Sequence, residues 1–425
     1  MYDYEQTDEL NEGYTEPEGE RVLPDPITPQ RKTVLNFPAG LILGLVLGIC
    51  GTGIVCIIAL LIMYNSDTLR LNYSSSEKLK LIEQMIHQRY LHEDEVTPEM
   101  LEEGMYRGMV DSLGDPYSVY YNEDDLKSLL ESSSGSFGGI GVHLTQDPDT
   151  RVVTVYKVMD GYPAAKAGVS ENDILIRVAG EEIKDMDLST IVSKVRGEKG
   201  TKVLLDLMRD DKEVEVEIVR DIIEYDTVAC EMKDEEKGIG YITIDEFDDV
   251  TYEQFVNAIN ELKEKGMKSM ILDLRGNPGG NVDTVCDMCD RLMGEGIIVS
   301  VEDKNGKKKE YTSDSEQLFK GDIVVLVDGN SASAAEIMTG ALKDTKLATV
   351  VGTTTFGKGI VQSVYPLGDG TAVKLTVENY YTPSGYSIHG KGIKPDVEID
   401  FDEESYKKDK TDNQLEKALE ILRGK

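Results

Sequence analysis

Three apolar runs in the second half of the chain lead straight into turns of small residues, and this pattern constrains the fold most. Ile271-Leu272-Asp273-Leu274 runs into Arg275-Gly276-Asn277-Pro278-Gly279-Gly280. Ile323-Val324-Val325-Leu326-Val327 runs into Asp328-Gly329-Asn330-Ser331-Ala332-Ser333-Ala334-Ala335-Glu336. Ala348-Thr349-Val350-Val351-Gly352 precedes Thr355-Phe356-Gly357-Lys358-Gly359. Short apolar runs bounded by Gly, Asn and Asp read as buried strands. Residues such as Ile337 and Met338, resuming after a turn, read as helix. Strand, tight turn and helix in sequence predict an α/β core.

The turns also carry reactive groups. Ser333 and Lys358 stand twenty-five residues apart, each just beyond a predicted strand. The chain has four histidines, His87, His92, His143 and His389, and none has a comparable setting. A serine can be activated by any adjacent base, and a lysine serves once apolar surroundings disfavour its ammonium form. A serine at a helix N-terminus also has free N–H groups nearby to stabilise an oxyanion. Taken alone, Ser333 reads equally as a capping serine. The turn at Gly279-Gly280 alters that balance, because two glycines allow N–H groups to converge on one point.

Further on come Tyr380-Tyr381-Thr382-Pro383-Ser384-Gly385 and His389-Gly390-Lys391-Gly392-Ile393-Lys394-Pro395-Asp396. In this order the motifs resemble the carboxyl-terminal processing, or tail-specific, peptidases, from about Leu79 to about Ile399. These are serine endopeptidases using a Ser–Lys pair. The resemblance implies Ser333 as nucleophile, Lys358 as general base and Gln362 as the residue orienting the lysine amine. Ser331 is the rival nucleophile, and the spacing of Ser333 to the lysine matches the family. The implied oxyanion hole is the N–H of Ala334 with that of Gly279 or Gly280. Two departures from the family stand out. Gly329-Asn330 replaces a pair of glycines, and Ala335 stands where a serine is common.

Residues 135–222 resemble a PDZ domain. Gly138-Gly139-Ile140-Gly141-Val142 corresponds to the turn that cradles a peptide carboxylate, and the peptide adds as a strand to the sheet edge. Short strands and the stretches Ala164–Val169 and Asn172–Gly180 follow. Arg196, after a predicted helix at Leu188–Val195, is a candidate sensor of bound peptide, with a solvated turn arginine as its plain reading. The expected architecture is an α/β protease core (223–425) with the PDZ-like β-rich domain inserted, a helical N-terminal region (66–134) and one transmembrane helix (34–65). The family uses such helical regions for dimerisation, so a homodimer is an expectation.

Ala39–Met63 is uncharged and apolar over twenty-five residues, enough to span a bilayer. Arg31 and Lys32 before it, taken with the usual location of the resembled family, predict the acidic tail, 1–33, in the cytoplasm and the catalytic region outside a cell membrane. The tail's composition predicts disorder. The net charge of -35 excludes nucleic acid as a partner. Cys286 and Cys289 fall on the apolar face of a predicted helix and read as buried thiols, with no second pair to complete a metal site. No metal or cofactor is expected, and the partners are protein or peptide substrates with accessible C-termini. An inactive PDZ scaffold is a second reading, against which Ser333, Lys358 and Gln362 stand intact. A crotonase-type enzyme would leave the Ser–Lys spacing and the PDZ-like segment unexplained.

Overall fold

The structure is a computed structural model that describes residues 73–424. The expected acidic tail at 1–33 and the apolar stretch at 39–63 lie outside the described residues. The expected fold needs one correction, because it included a transmembrane helix. Among the described residues no helix is long and apolar enough to cross a membrane. The longest, Tyr73–Arg89, has 17 residues and carries Glu77, Lys78, Lys80 and Glu83, charges that a hydrocarbon core does not accept. This helix belongs to a separate unit ending at Glu93.

From Asp94 onward the chain forms one unit. At its centre is a six-stranded sheet built from Val228–Asp234, Ile239–Ile244, Ser269–Asp273, Asp322–Val327, Ala348–Gly352 and Val397–Glu398, in that order. The first pair is antiparallel and the other four pairings are parallel. Strand side chains alternate between faces, so a strand covered on both sides must be apolar throughout. Asp322–Val327 illustrates this, with all five residues from Ile323 to Val327 buried. Ile323, Val325 and Val327 enter the core packed by helices Thr251–Glu264, Val282–Asp290 and Ala334–Asp344. Val324 and Leu326 enter the opposite cluster, closed by Ala418, Leu419 and Leu422 of the last helix, Asn413–Arg423.

That last helix is pinned by Arg275. Its guanidinium bonds Asp273 Oδ1 at 2.9 Å and Asp412 Oδ2 at 2.8 Å, and Gln414 Oε1 at 3.0 Å. Asp412 in turn caps the helix by accepting from Gln414 N and Leu415 N. Arg275→Ala would strand two carboxylates in a mostly buried site, which typically costs about 3–5 kcal/mol. Chemical denaturation should show that loss, with the C-terminal helix becoming the first segment to exchange its amides.

A second, antiparallel sheet holds Val119–Tyr121, Gly296–Asp303, Lys308–Ser313, Ile360–Pro366 and Ala372–Tyr381. The N-terminal region is thus helical at Pro98–Asp111 and Glu123–Ser134, but it also contributes a strand to the protease sheet. Tyr120 explains why, since its ring is 2% exposed there.

The PDZ-like module hangs on a two-stranded ribbon. Ser136–Gly139 on the way in pairs with Asp221–Glu224 on the way out. Its own six-stranded sheet packs against helix Leu188–Val195. Val203, Leu205 and Leu207 show the period of two expected of a strand with one buried face.

Candidate active site

The strand Asp322–Val327 ends at Asp328, whose carboxylate shapes the turn that follows. Its Oδ1 accepts from Gly276 N (3.0 Å), Asn330 N (2.9 Å) and Ser331 N (3.0 Å). Ser331 is fully buried, and its hydroxyl is committed to the fold. It donates to Leu274 O at 2.7 Å and accepts from Asp328 N at 2.9 Å.

Ser333 is placed differently. It lines a cleft of about 310 Å³ together with Gly280, Asn281, Tyr311, Gln362 and Tyr380. Its backbone has φ +54° and ψ -115°, a conformation that side chains other than glycine rarely take. Such strain at a strand-to-helix turn is how a nucleophile elbow lifts its serine out of the chain. The periodicity of the sequence carries no signal for this backbone conformation.

Asn277, fully buried, ties the glycine turn to the serine turn. Its Nδ2 donates to Ile244 O at 2.7 Å, and its backbone carbonyl accepts from Ala332 N at 2.9 Å. Its Oδ1 accepts from Gly279 N at 2.8 Å, so that N–H is occupied. No partner among the described residues takes the N–H of Gly280 or of Ala334. Gly279 is needed for closeness rather than donation. At φ +113°, a Cβ there would lie 2.7 Å from Ser333 Cβ.

Lys358 follows Thr355-Phe356-Gly357 on a loop without regular structure. Burial holds its amine below the ordinary lysine range, Lys374 adds to the effect and Asp115 opposes it. The ammonium lies over the Tyr117 ring, 4.7 Å from the centroid. No hydrogen bond joins it to Ser333 Oγ. Gln362 lines the serine cleft, with its Nε2 turned to Ile360 O at 3.3 Å. The fold therefore brings Ser333, Gly280 and Gln362 to one cleft, with the amine of Lys358 resting on Tyr117. Tyr117 lies between helix Pro98–Asp111 and strand Val119–Tyr121, in the region expected from sequence to be helical. Its turn is closed by Asp115, which accepts from Tyr117 N at 3.0 Å and Ser118 Oγ at 2.6 Å. Tyr380 is also unforeseen as a site residue. Its buried hydroxyl reaches Ser333 O at 3.1 Å and also Lys358 O.

In the PDZ-like module, a groove of about 390 Å³ is lined by Gly139, Ile140, Gly141, Val142, Val192 and Arg196, among others. Gly138 is not at this groove. It lies in the ribbon, where a Cβ would meet Gly197 O at 2.0 Å. Arg196 is not a merely solvated arginine. Its guanidinium stacks 3.9 Å from the Phe137 centroid and donates to Tyr225 Oη at 2.9 Å. Glu131 of helix Glu123–Ser134 lies 3.9 Å away.

Cys286 and Cys289 are buried free thiols, and burial pushes Cys286 up to about 12. Among the described residues no group of His, Cys, Asp or Glu is placed to hold a metal ion.

Residues 238–399 match peptidase family S41, residues 138–219 match the PDZ domain, and residues 63–125 match the N-terminal domain of the activating protease CtpB. Over 331 residues the chain is 40% identical to the carboxy-terminal processing protease CtpA of Bacillus subtilis (strain 168), covering 77% of this chain and 70% of that protein. To the carboxy-terminal processing protease CtpB of the same organism it is 37% identical over 327 residues, covering 76% and 67% respectively. Among solved structures, the photosystem II D1 C-terminal processing protease aligns at 28% identity with a TM-score of 0.45, over 76% of this chain and 86% of that one. The chain belongs to peptidase family S41 and is a serine protease of the carboxy-terminal processing type with a PDZ domain.

Proposed function

We propose that Ser333 and Lys358 are the nucleophile and general base of this protease, and that peptide binding at the PDZ groove controls access to them. The observation that carries the assignment of the nucleophile is the contrast within Ser331-Ala332-Ser333. One hydroxyl is locked into the fold, and the other lines a cleft beside two unpaired N–H groups. In the reaction, neutral Lys358 takes the proton from Ser333 Oγ as the oxygen attacks the scissile carbonyl. The N–H groups of Ala334 and Gly280 receive the oxyanion. Protonated Lys358 then gives its proton to the leaving amine, and water hydrolyses the acyl-enzyme. The mechanism requires the lysine side chain to swing from Tyr117 towards Ser333, with Gln362 turning from Ile360 O to hold the amine. Proteins or peptides presented by their C-termini are the substrates.

The case for control rests on a continuous set of contacts. Arg196 at the groove faces Glu131. Ser133, on the same helix, accepts from Asn281 Nδ2 at 3.1 Å and from Asp249 N at 3.2 Å. Asn281 directly follows Gly280, and its N–H donates to Phe247 O at 2.6 Å. A ligand shifts such an equilibrium only by binding one state more tightly.

The test is cleavage of a short reporter with and without a non-cleavable peptide ending in a free carboxylate. Stimulation that vanishes when the carboxylate is amidated is the expected result. No stimulation at saturating peptide would reduce the PDZ domain to a tether that only concentrates substrate.

A further inference from the structure

Glu336 is 0% exposed, in the first turn of helix Ala334–Asp344. A carboxylate so deeply buried needs full hydrogen bonding to stay charged. Its Oε2 accepts from Ser333 N at 3.0 Å and from Lys358 N at 2.8 Å. Its Oε1 accepts from Gly357 N at 2.8 Å and Thr355 Oγ1 at 2.5 Å. Four donors fill the acceptor sites of a carboxylate. No ion pair reaches Glu336 among the described residues, so three main-chain N–H groups and one hydroxyl are its polar partners.

The bond to Ser333 N is what an ordinary capping box supplies. The other three are not, since they come from the loop that carries Lys358. That loop lacks a strand or helix to define it at 353–359, yet its backbone sits against the serine turn. Tyr380 Oη adds a second link, between Ser333 O and Lys358 O. Occupation of Ser333 N by Glu336 also determines which N–H groups stay open, and that of Ala334 has no partner among the described residues.

We propose that Glu336 is a positioning residue for the protease reaction, a single buried carboxylate that joins the main chain of Ser333 to that of Lys358 and sets their separation. The proposal rests on the Ser–Lys reading above. A simple cap would serve the helix alone. Glu336 serves two segments, those of Ser333 and Lys358, that the sequence keeps twenty-five residues apart. Because the chemistry needs serine and lysine side chains in register, loosening this joint acts on turnover more than on substrate binding.

Glu336→Gln keeps the shape, but only one of its two polar atoms can accept, and in either orientation its amide meets at least one main-chain N–H donor. The full chain carrying it is assayed on a short reporter peptide beside wild type, Ser333→Ala and Lys358→Ala. Circular dichroism and thermal unfolding on the same preparations establish the folded fraction. The expected result is a kcat lower by about 100-fold per folded molecule, the scale of a misplacement near 1 Å, with KM within about twofold. A kcat within about threefold of wild type, with Ser333→Ala and Lys358→Ala inactive, overturns the positioning role. So does a loss explained wholly by the unfolded fraction. Turnover in Ser333→Ala or Lys358→Ala instead removes the Ser–Lys reading, and the proposal with it. If Glu336→Gln does not fold, Glu336→Asp is read the same way. It keeps the charge but is too short to reach both segments, and wild-type kcat in it overturns the proposal.

Discussion

Ser333→Ala is expected to lower turnover by roughly 10⁶-fold, the scale seen when a serine nucleophile is removed, while leaving the unfolding midpoint unchanged. The substitution deletes one reacting oxygen. The strained backbone at φ +54° is left as it was, because alanine keeps the Cβ that makes a positive φ costly. Ser331→Ala should behave in the opposite way. Its hydroxyl bonds Leu274 O and Asp328 N in a site with no solvent exposure. Its loss takes the partner of Asp328 N and one of the two donors to Leu274 O, and costs about 1–3 kcal/mol of stability, with turnover retained in the folded protein. The pair of variants separates chemistry from architecture across two residues. An inactive Ser331→Ala beside an active Ser333→Ala would reverse the assignment.

Lys358→Met should reduce turnover by at least about 10³-fold, within the range ascribed to positioned acid–base groups, and should stabilise the protein near neutral pH. Burial lowers the folded-state pKa of this lysine, with Lys374 adding to it. Between that lowered value and the unfolded value of about 10.4, the unfolded chain binds more protons than the folded one. Stability contributed by this site therefore rises with pH across that window, and the cost of the buried ammonium is fully present below it. Methionine removes the cost. Activity of the wild type should rise with pH through the same folded pKa, since only the neutral amine accepts a proton. A rate profile that is flat across that range would argue against lysine as the base.

What the sequence made legible follows from how local each signal is. The strand Asp322–Val327 could be read directly because five consecutive apolar residues leave no other reading. The glycine turn at 276–280 and the serine turn at 328–333 could be read because their residue types are dictated by backbone shape. The choice between Ser331 and Ser333 could not come from composition. It depends on which hydroxyl meets Leu274 O, a contact across fifty-seven residues. The choice between Gly279 and Gly280 was equally hidden, since it depends on Asn277 Oδ1 taking one of the two N–H groups. Tyr117 reaches Lys358 from more than two hundred residues away, and Tyr380 joins two turns whose own sequences do not mention it. Glu336 was visible as the last residue before Ile337 and Met338 of the predicted helix, and its bonds to Gly357 and Lys358 were not. Long-range polar contacts of this kind leave no periodicity behind them. The strand Val119–Tyr121 was concealed for a related reason, being three residues between two helices whose partner strand is Ala372–Tyr381.

The measurement that bears most directly on the central claim is covalent trapping of the nucleophile. The protein is treated with a fluorophosphonate, digested, and the adduct located by mass spectrometry. The account predicts one phosphonylated residue, Ser333, with labelling abolished in Ser333→Ala, preserved in Ser331→Ala and slowed in Lys358→Met. An adduct on Ser331, or full proteolytic activity in a preparation that takes up no label at Ser333, would contradict it.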